Sequence, residues 1–324
     1  MEDGSRSLPA RAVNDLVLPH FHPVSRREFL RAAFGVGACA LTGDLAMADA
    51  IVKKPLPKTG ELIPVIGLGT WQTFDVGATD TARAPLRNVL SEFVRLGGSV
   101  IDSSPMYGKS ESVAGDLAAE LAIHKQLFLA TKVWIHGGEA GMRQMEESFR
   151  RLRTRRMDLM QVHNLVDYRV HLSTLRGWQE QGKVRHIGVT HYTASAHDEL
   201  ERVLASEELD FVQLNYSLAE RDAERRLLPL AAARRIAVLV NRPLAQGQLF
   251  RKVRGKPLPP WASEIGCASW AQFFLKFVIS HPAVTCAIPA TSNVHHLVEN
   301  MQAGFGPLPN AAARERMARY FAEL

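Results

Sequence analysis

Four side chains with acid–base chemistry stand at or just after the ends of three short apolar segments. Asp102 closes the first segment and Tyr107 follows it on the next loop, Lys132 closes the second, and His163 closes the third. A phenol can give or take a proton, an ammonium can hold a nearby anion, and an imidazole can donate to a reacting oxygen. If the segments are neighbouring strands, the four groups predict one site of acid–base catalysis.

Each of the four residues has a plainer interpretation when it is taken alone. An Asp at a strand end is about as often a loop cap as a catalytic group, and a lone Tyr more often lines a wall. A single His such as His163 is more often a hydrogen-bonded core residue. Lys132 is harder to dismiss, because an ammonium inside an apolar segment must be paired to tolerate burial. Asp102 is its natural partner, and the combination favours catalysis.

The segments that carry these residues belong to a regular alternation. The chain has 324 residues, of which 46% are hydrophobic and 22% charged, as in globular proteins. Short apolar runs with the composition of buried strands are predicted at 62–68, 99–102, 127–132, 157–163, 184–189, 211–214, 236–240 and 284–288. Amphipathic helices, in which apolar residues repeat at three and four positions, are predicted at 81–96, 111–121, 142–152, 171–180, 196–204, 224–232 and 270–279.

Strict alternation of strands and helices predicts right-handed βαβ units and a parallel sheet. Eight strands in roughly 260 residues favour an α/β fold of the closed (β/α)8 type, the TIM barrel, over an open doubly wound sheet. The first strand runs through residues 67–71 into a loop and lacks a GxGxxG fingerprint, so a dinucleotide would not bind in Rossmann fashion. The carboxyl ends of barrel strands share one face, where the four candidate residues would converge.

Charge and cysteine usage exclude two classes of function. The net charge of +6 comes from scattered Lys and Arg, with short clusters such as 150–156 that are typical of solvated helix ends, so no nucleic-acid surface is expected. The three cysteines form no CxxC motif and no Cys/His spacing suited to zinc, so no metal site is expected.

Residues 1–50 resemble a twin-arginine (Tat) export signal. Ser-Arg-Arg-Glu-Phe-Leu at 25–30 precedes an apolar stretch and then small residues suited to signal peptidase at 46–50. The apolar stretch is too short for a bilayer span of ~20 residues, so no stable membrane insertion is expected. We therefore expect a signal region at 1–50, a barrel at 51–324, the Tat machinery as a partner and the periplasm as destination. The alternative is an amphipathic helix on a cytoplasmic protein.

The motifs over residues 60–305 resemble the aldo-keto reductases in their order and spacing. They are Ile-Asp-Ser-Ser-x-x-Tyr-Gly-x-Ser-Glu at 101–111, Thr-Lys-Val-Trp at 131–134, Val-His at 162–163, Gly-Val-Thr-His-Tyr at 188–192, Val-Gln-Leu-Asn-Tyr at 212–216 and Ile-Pro-Ala-Thr at 288–291. No single motif is specific, but together they are. The resemblance implies an oxidoreductase that reduces an aldehyde or ketone to an alcohol with a nicotinamide cofactor.

In the roles that this resemblance implies, Tyr107 is the general acid that protonates the developing alkoxide. Lys132 beside it would lower the pKa of the phenol, Asp102 would hold Lys132 charged, and neutral His163 would donate to the carbonyl oxygen. Three further residues fall where the family places the substrate pocket and indicate an apolar or aromatic carbonyl, although ordinary packing of the tryptophans is equally compatible: Trp71, Met106 and Trp134.

The same resemblance assigns a larger set of residues to the cofactor, with NADP as the first choice and NAD as the alternative. Asn241 stands where an aromatic side chain normally stacks on the nicotinamide, and Ala290 and His296 stand where Lys and Arg often grip the 2′-phosphate. The full set is Gly69, Thr70, Thr190, His191, Gln213, Asn241, Arg242, Pro243, Leu244, Gln246, Ile288, Ala290, Thr291, Ser292, His296, Glu299 and Asn300.

Two other functions remain open on the sequence alone. A cofactor-bound sensor or regulatory barrel with little turnover is compatible with the departures at Asn241 and Ala290. A metal-dependent hydrolase barrel would need several His and Asp ligands at strand ends, and beyond Asp102, His163 and His191 the chain does not offer them.

Overall fold

The computed structural model describes residues 50–324, which belong to one compact unit. All but the last residue of the predicted signal region lies outside the described residues. The described chain opens with an antiparallel hairpin of two strands, in which Lys53 pairs with Pro64; the strands are β1 (Lys53–Pro55) and β2 (Leu62–Pro64).

Eight parallel strands follow, and each pairs with its neighbour in chain order. They are β3 (Leu68–Gly69), β4 (Val100–Asp102), β5 (Phe128–Val133), β6 (Met157–His163), β7 (Val184–Thr190), β8 (Phe211–Asn215), β9 (Ala237–Asn241) and β10 (Cys286–Ala287). Parallel bridges from Ile66 to Ala287 and from Gly69 to Ala290 join the first strand to the last. The predicted (β/α)8 barrel is therefore confirmed, and its sheet is closed on itself.

Ten α-helices accompany the strands between residues 50 and 324. They are α1 (Asp80–Arg95), α2 (Ser110–Glu120), α3 (Gly138–Arg151), α4 (Tyr168–Glu180), α5 (His197–Ser206), α6 (Leu227–Ala233), α7 (Gln248–Lys252), α8 (Trp270–Ile279), α9 (Val294–Gln302) and α10 (Ala311–Glu323). Side chains of the N-cap type accept from first-turn backbone N–H groups at Thr79, Ser269, Asn293 and Asn310. The sequence had predicted seven of these helices and missed α7, α9 and α10.

The strand predicted at 62–68 is wrong as a single element, because the chain divides it between the hairpin and the barrel. Pro64 ends β2, since proline has no N–H to continue a ladder. Gly67 then passes close to the next strand: a Cβ atom there would lie 2.8 Å from the carbonyl oxygen of Val100. Apolar patterning alone shows neither the change of partner nor this close approach.

The core has two layers, and they leave one end of the barrel free for a site. A large cluster packs between the strands and the helices, and a smaller one fills the lower barrel interior. Leu56 and Ile63 of the hairpin belong to the smaller cluster, so the hairpin closes the amino end of the barrel. No helix between residues 50 and 324 combines the length and apolarity that a bilayer span needs.

Candidate active site

The strand ends bring the four candidate catalytic residues together. Asp102 is the last residue of β4, Lys132 lies one residue before the end of β5, and His163 is the last residue of β6. These three strands are consecutive neighbours in the barrel. Tyr107 follows on the loop between β4 and α2, so that all four side chains meet at the carboxyl face.

Lys132 and Asp102 form a buried ion pair. Lys132 Nζ lies 2.6 Å from Asp102 Oδ2 and also donates to the carbonyl oxygen of Ser103 at 2.6 Å. The side chain of Lys132 is fully buried. Burial acts to lower the pKa of Lys132, but the nearby Asp102 and Tyr107 outweigh it and raise that pKa above its usual value. The ammonium is therefore held charged inside the barrel mouth.

Two amides hold the other oxygen of the same carboxylate. Gln213 Nε2 donates to Asp102 Oδ1 at 2.8 Å, and Gln161 Nε2 donates to the same atom at 3.2 Å. Asp102 thus receives donors on both oxygens, as a buried carboxylate requires. Sequence reasoning missed Gln161, although a polar residue in an otherwise apolar strand, two positions before His163, was a usable signal.

Tyr107 lies against Lys132, with the ammonium nitrogen 5.0 Å from the centre of the phenol ring. The net direction of the phenol pKa corrects the sequence-based expectation. Burial raises the pKa of Tyr107, and the attraction of Lys132 offsets that rise only in part. Lys132 does act to lower the pKa of Tyr107, as expected, but burial raises that pKa by more. Tyr107 therefore keeps its proton at neutral pH.

His163 stands next to the phenol as a neutral imidazole. Its ring lies perpendicular to that of Tyr107, with 5.9 Å between centroids, and its Nδ1 shares a hydrogen bond of 3.1 Å with Ser104 Oγ. Burial, reinforced by the charge of Lys132, lowers the pKa of His163 to about 2. The neutral state expected from the sequence therefore agrees with its surroundings.

A cavity of about 1090 Å³ opens over these residues. Asp102, Tyr107 and His163 line it, and Lys132 lies buried behind them. All three predicted substrate-pocket residues also line it: Trp71, Met106 and Trp134. The predicted cofactor residues that line it are Gly69, Thr70, Thr190, Gln213, Asn241, Arg242, Pro243, Leu244, Gln246, Ile288, Ala290, Thr291, His296, Glu299 and Asn300.

His191 and Ser292 are the two predicted cofactor residues that the cavity lining does not include. The ring of His191 stacks on Tyr192 with 5.6 Å between centroids, and its Nδ1 accepts from the Tyr192 backbone N–H at 3.1 Å. Its side chain is therefore engaged by its own loop. Ser292 is exposed beside the lining residue Thr291.

A polar network connects the nicotinamide-binding candidates to Asp102. Thr190 Oγ1 donates to Gln213 Oε1 at 3.3 Å, while Asn241 Nδ2 donates to the same oxygen at 3.4 Å and to the His191 carbonyl at 3.2 Å. Gln213 in turn donates to Asp102. A group that binds over Thr190 and Asn241 would therefore lie against side chains that are linked to the Asp102 carboxylate by hydrogen bonds.

The loop between β9 and α7 reaches across to the loop after β7. Arg242 Nη1 donates to the Tyr192 carbonyl at 3.0 Å, and its Nη2 donates to Gln246 Oε1 at 3.1 Å. Arg242 and Gln246 both have left-handed backbones, with φ of 50° and 51°. The sequence had indicated Arg242 but not Tyr192, which also lines the cavity.

The cavity offers room and polar groups for a large ligand. Its volume of about 1090 Å³ lies just above the ~300–1,000 Å³ range of small-molecule sites. Buried polar atoms without a partner, Asn241 Oδ1 and Arg242 Nε, lie in its lining residues and fit a polar ligand. Among residues 50–324, no three His, Cys, Asp or Glu side chains are grouped to hold a metal ion.

Comparisons with known proteins agree with this architecture. The family model described as "Aldo/keto reductase family" matches residues 65–315. Methylglyoxal reductase YeaE of Escherichia coli is 30% identical over 247 residues, which are 74% of this chain and 84% of that protein. The NADH-specific methylglyoxal reductase of the same organism is 30% identical over 227 residues, 61% of this chain and 68% of that protein.

Solved structures give the same result. An aldo-keto reductase from Klebsiella pneumoniae in complex with NADPH is 28% identical and aligns with a TM-score of 0.71 over 84% of this chain and 96% of that one. The fold, the order of the motifs and the extent of the family match all agree. The chain therefore belongs to the aldo/keto reductase family.

Proposed function

We propose that this protein is an NAD(P)H-dependent oxidoreductase that reduces an aldehyde or a ketone to an alcohol at the carboxyl face of its barrel. One observation supports the proposal most strongly. The charged pair Lys132–Asp102 is buried directly behind the phenol of Tyr107, beside a neutral His163. Burying an ion pair is costly, and a site without turnover has no evident need of it.

Tyr107 is the proton donor in this proposal. When bound, the reduced nicotinamide supplies a hydride to the carbonyl carbon, and negative charge grows on the carbonyl oxygen. Because burial keeps the pKa of Tyr107 high, its hydroxyl carries a proton at neutral pH that it can give to that oxygen. Lys132 stabilises the phenolate that is left behind, and Asp102 keeps Lys132 charged and in place. In the oxidative direction the same phenolate is the base.

His163 orients the carbonyl. In this proposal Ser104 Oγ donates to His163 Nδ1 across the 3.1 Å that separates them. The ring proton is then on Nε2, where it can be donated to the substrate oxygen. A neutral donor at this position fixes the approach of the carbonyl without neutralising the charge that Tyr107 must protonate.

For the cofactor we propose NADP, held by the predicted cofactor residues that line the cavity, from Gly69 and Thr70 to Asn300. The Klebsiella pneumoniae relative with a TM-score of 0.71 binds NADPH. NAD is the alternative, because a relative from Escherichia coli is NADH-specific and because, among residues 50–324, Arg242 is the only Lys or Arg that lines this cavity. Dissociation constants for NADPH and NADH, measured by fluorescence titration, decide between them.

An apolar or aromatic carbonyl is the proposed substrate, because Trp71, Met106 and Trp134 form part of the wall around Tyr107. Methylglyoxal is a small carbonyl compound to include in the assay, because two Escherichia coli relatives are named methylglyoxal reductases. Consumption of reduced nicotinamide by the purified protein, measured across aldehydes, ketones and quinones, tests the proposal. Tight cofactor binding with no turnover of any carbonyl would instead favour the sensor function.

We also propose that the chain is exported by the Tat route to the periplasm as a folded barrel with its cofactor already bound. The supporting feature is the Ser-Arg-Arg-Glu-Phe-Leu sequence at 25–30. Changing Arg26 and Arg27 together to Lys should retain the protein in the cytoplasm, measured by cell fractionation. Equal periplasmic amounts of both forms would contradict the proposal, and mature protein without nucleotide would contradict prior loading.

A further inference from the structure

Exposed apolar side chains gather around the mouth of the barrel. Nine large hydrophobic residues are exposed in the described part of the chain. Leu62 is on the hairpin at the amino end. The other eight are on loops or in helices that follow barrel strands at the carboxyl end: Trp71, Met106, Trp134, Ile135, Met142, Val170, Tyr192 and Phe250. Single exposed apolar residues are ordinary, but this grouping around one opening is not.

Three of these eight are not explained by the cavity. Trp71, Met106, Trp134, Tyr192 and Phe250 line it, whereas Ile135, Met142 and Val170 do not. Those three follow the same two strands, β5 and β6, on the side of Trp134. We call the four residues Trp134, Ile135, Met142 and Val170 the apolar shelf.

Hydrogen bonds and packing contacts join the loop and the two helices that carry the apolar shelf. His171 at the start of α4 shares a hydrogen bond of 2.7 Å between its Nε2 and the carbonyl oxygen of Ile135. The same ring packs on α3, because a Cβ atom at Gly141 would lie 2.4 Å from His171 Cε1. A Cβ atom at Gly138 would lie 3.4 Å from Val170 Cγ1. The loop after β5, α3 and α4 therefore meet at the shelf.

The backbone of Trp134 is held on both sides by one side chain. Its N–H donates to Gln144 Oε1 at 2.6 Å, and Gln144 Nε2 donates to its carbonyl oxygen at 3.3 Å. Asp167 Oδ2 accepts from the Gly137 backbone N–H at 2.8 Å, which ties the same loop to the start of α4. The exposed ring of Trp134 thus stands on a loop that is ordered before any ligand arrives, which lowers the entropy lost on binding.

We propose that the apolar shelf binds the apolar tail of the carbonyl substrate where that tail leaves the cavity. This inference rests on the proposed reductase function and deepens it, because it predicts carbonyl compounds with an extended alkyl or aryl tail. Trp134 joins the two surfaces: it lines the cavity, its ring lies 6.3 Å from that of His163, and 41% of its surface is exposed. Ile135 follows Trp134 in the chain, and Val170 precedes His171, which bonds to the Ile135 carbonyl, so in this proposal a tail that runs along Trp134 continues toward Ile135 and Val170.

The charges at the border of the shelf favour a neutral occupant. Glu139 and Arg143 on α3 lie 3.5 Å from each other across one helical turn, so their charges offset each other. His136 Nδ1 lies 3.2 Å from Asp167 Oδ1, and Asp167 Oδ2 accepts from the Gly137 backbone N–H, so this carboxylate is engaged by its own loop. Neither a strongly acidic nor a strongly basic partner is selected by such a border, whereas an uncharged tail meets only the apolar surface.

A homologous series of straight-chain aldehydes from butanal to decanal tests the inference with the full chain. We expect kcat/KM to rise by up to about fourfold for each methylene group that reaches the shelf. Val170→Asp should lower the ratio of kcat/KM for decanal to that for butanal by about tenfold, because the tail then meets a charge. An Asp at this position suits the first turn of α4, so the variant should fold.

Leu62→Asp is the matched control, because Leu62 is 59% exposed at the opposite end of the barrel. It should keep the wild-type ratio, and Ile135→Thr should lower it. An unchanged ratio in Val170→Asp and Ile135→Thr would overturn the inference. The inference would also be overturned if sedimentation showed that the wild-type protein is a dimer and that Val170→Asp dissociates it, because a second copy would then cover the shelf.

The failure of the proposed function would look different. If the wild-type protein reduces no aldehyde at all, calorimetric titration with 1-decanol still tests the shelf without turnover. If Val170→Asp weakens the binding of 1-decanol and Leu62→Asp does not, the proposed role of the apolar shelf is supported and only the reductase function is rejected. If 1-decanol does not bind, the proposed role of the apolar shelf is rejected.

Discussion

Gln213 donates from its amide nitrogen to Asp102 Oδ1 over 2.8 Å, while its carbonyl oxygen accepts from Thr190 at 3.3 Å. One side chain therefore touches both the carboxylate that holds Lys132 and the residue expected to bind the nicotinamide amide. The two halves of the site are joined at this residue.

Gln161→Leu removes the second amide donor to Asp102 Oδ1 while leaving Gln213 in place. A lost hydrogen bond to a buried charged group costs about 1.5–3 kcal/mol. We expect kcat to fall by at least about tenfold with a nearly unchanged dissociation constant for the cofactor, because Gln161 is not among the residues that line the cavity. An unchanged kcat would mean that the single donor Gln213 holds Asp102 sufficiently.

Lys132→Met should destabilise the fold as well as remove activity, because it leaves the Asp102 carboxylate buried without its counter-charge. The expected loss in the free energy of unfolding is about 3–5 kcal/mol, measured by urea denaturation at neutral pH. Adding Asp102→Asn should recover a large part of that loss. Equal stabilities of the single and the double variant would show that the pair is not the cause.

Asn241→Tyr places an aromatic ring at the position where the family usually stacks one on the nicotinamide. Such a ring is worth about 1 kcal/mol, so we expect cofactor binding to tighten by roughly fivefold in fluorescence titrations. Asn241→Leu is the control, because it removes the hydrogen bonds to His191 and Gln213 without adding a ring. If both variants weaken binding equally, the amide and not the missing ring controls affinity.

The low pKa of His163 predicts a pH dependence of stability. Its pKa is about 2 in the folded protein and ~6.5 in an unfolded chain. The unfolded chain therefore takes up a proton below about pH 6.5 that the folded protein does not, and the free energy of unfolding falls as the pH falls. In His163→Gln, the fall in the free energy of unfolding between pH 6.5 and pH 5 should be smaller by about 2 kcal/mol. An identical slope in both proteins would contradict the assigned protonation.

The barrel and the meeting of the four catalytic candidates were predictable from the sequence, because strands such as Met157–His163 and helices such as Trp270–Ile279 have strong periodicity. The division of 62–68 was not, since it depends on which strand the chain pairs with after Pro64. Helix α7 has only five residues and follows left-handed positions, so no helical period is visible there.

Other features of the site depend on tertiary structure alone. The bond from Arg242 to Tyr192 spans fifty residues between two loops. The net rise in the pKa of Tyr107 results from burial, which competes with the charge of Lys132 and cannot be weighed from residue types. Motifs show which groups are present, and only the packed structure shows which effect is larger.

The most direct test of the proposed chemistry is Tyr107→Phe, which removes only the hydroxyl proton donor. Single-turnover reduction of a carbonyl that the wild-type protein accepts, followed by nicotinamide absorbance, should slow by about 10²–10⁴-fold, while the dissociation constant of the cofactor stays unchanged. That result is the one expected if Tyr107 is the general acid. Undiminished turnover in Tyr107→Phe would contradict the account.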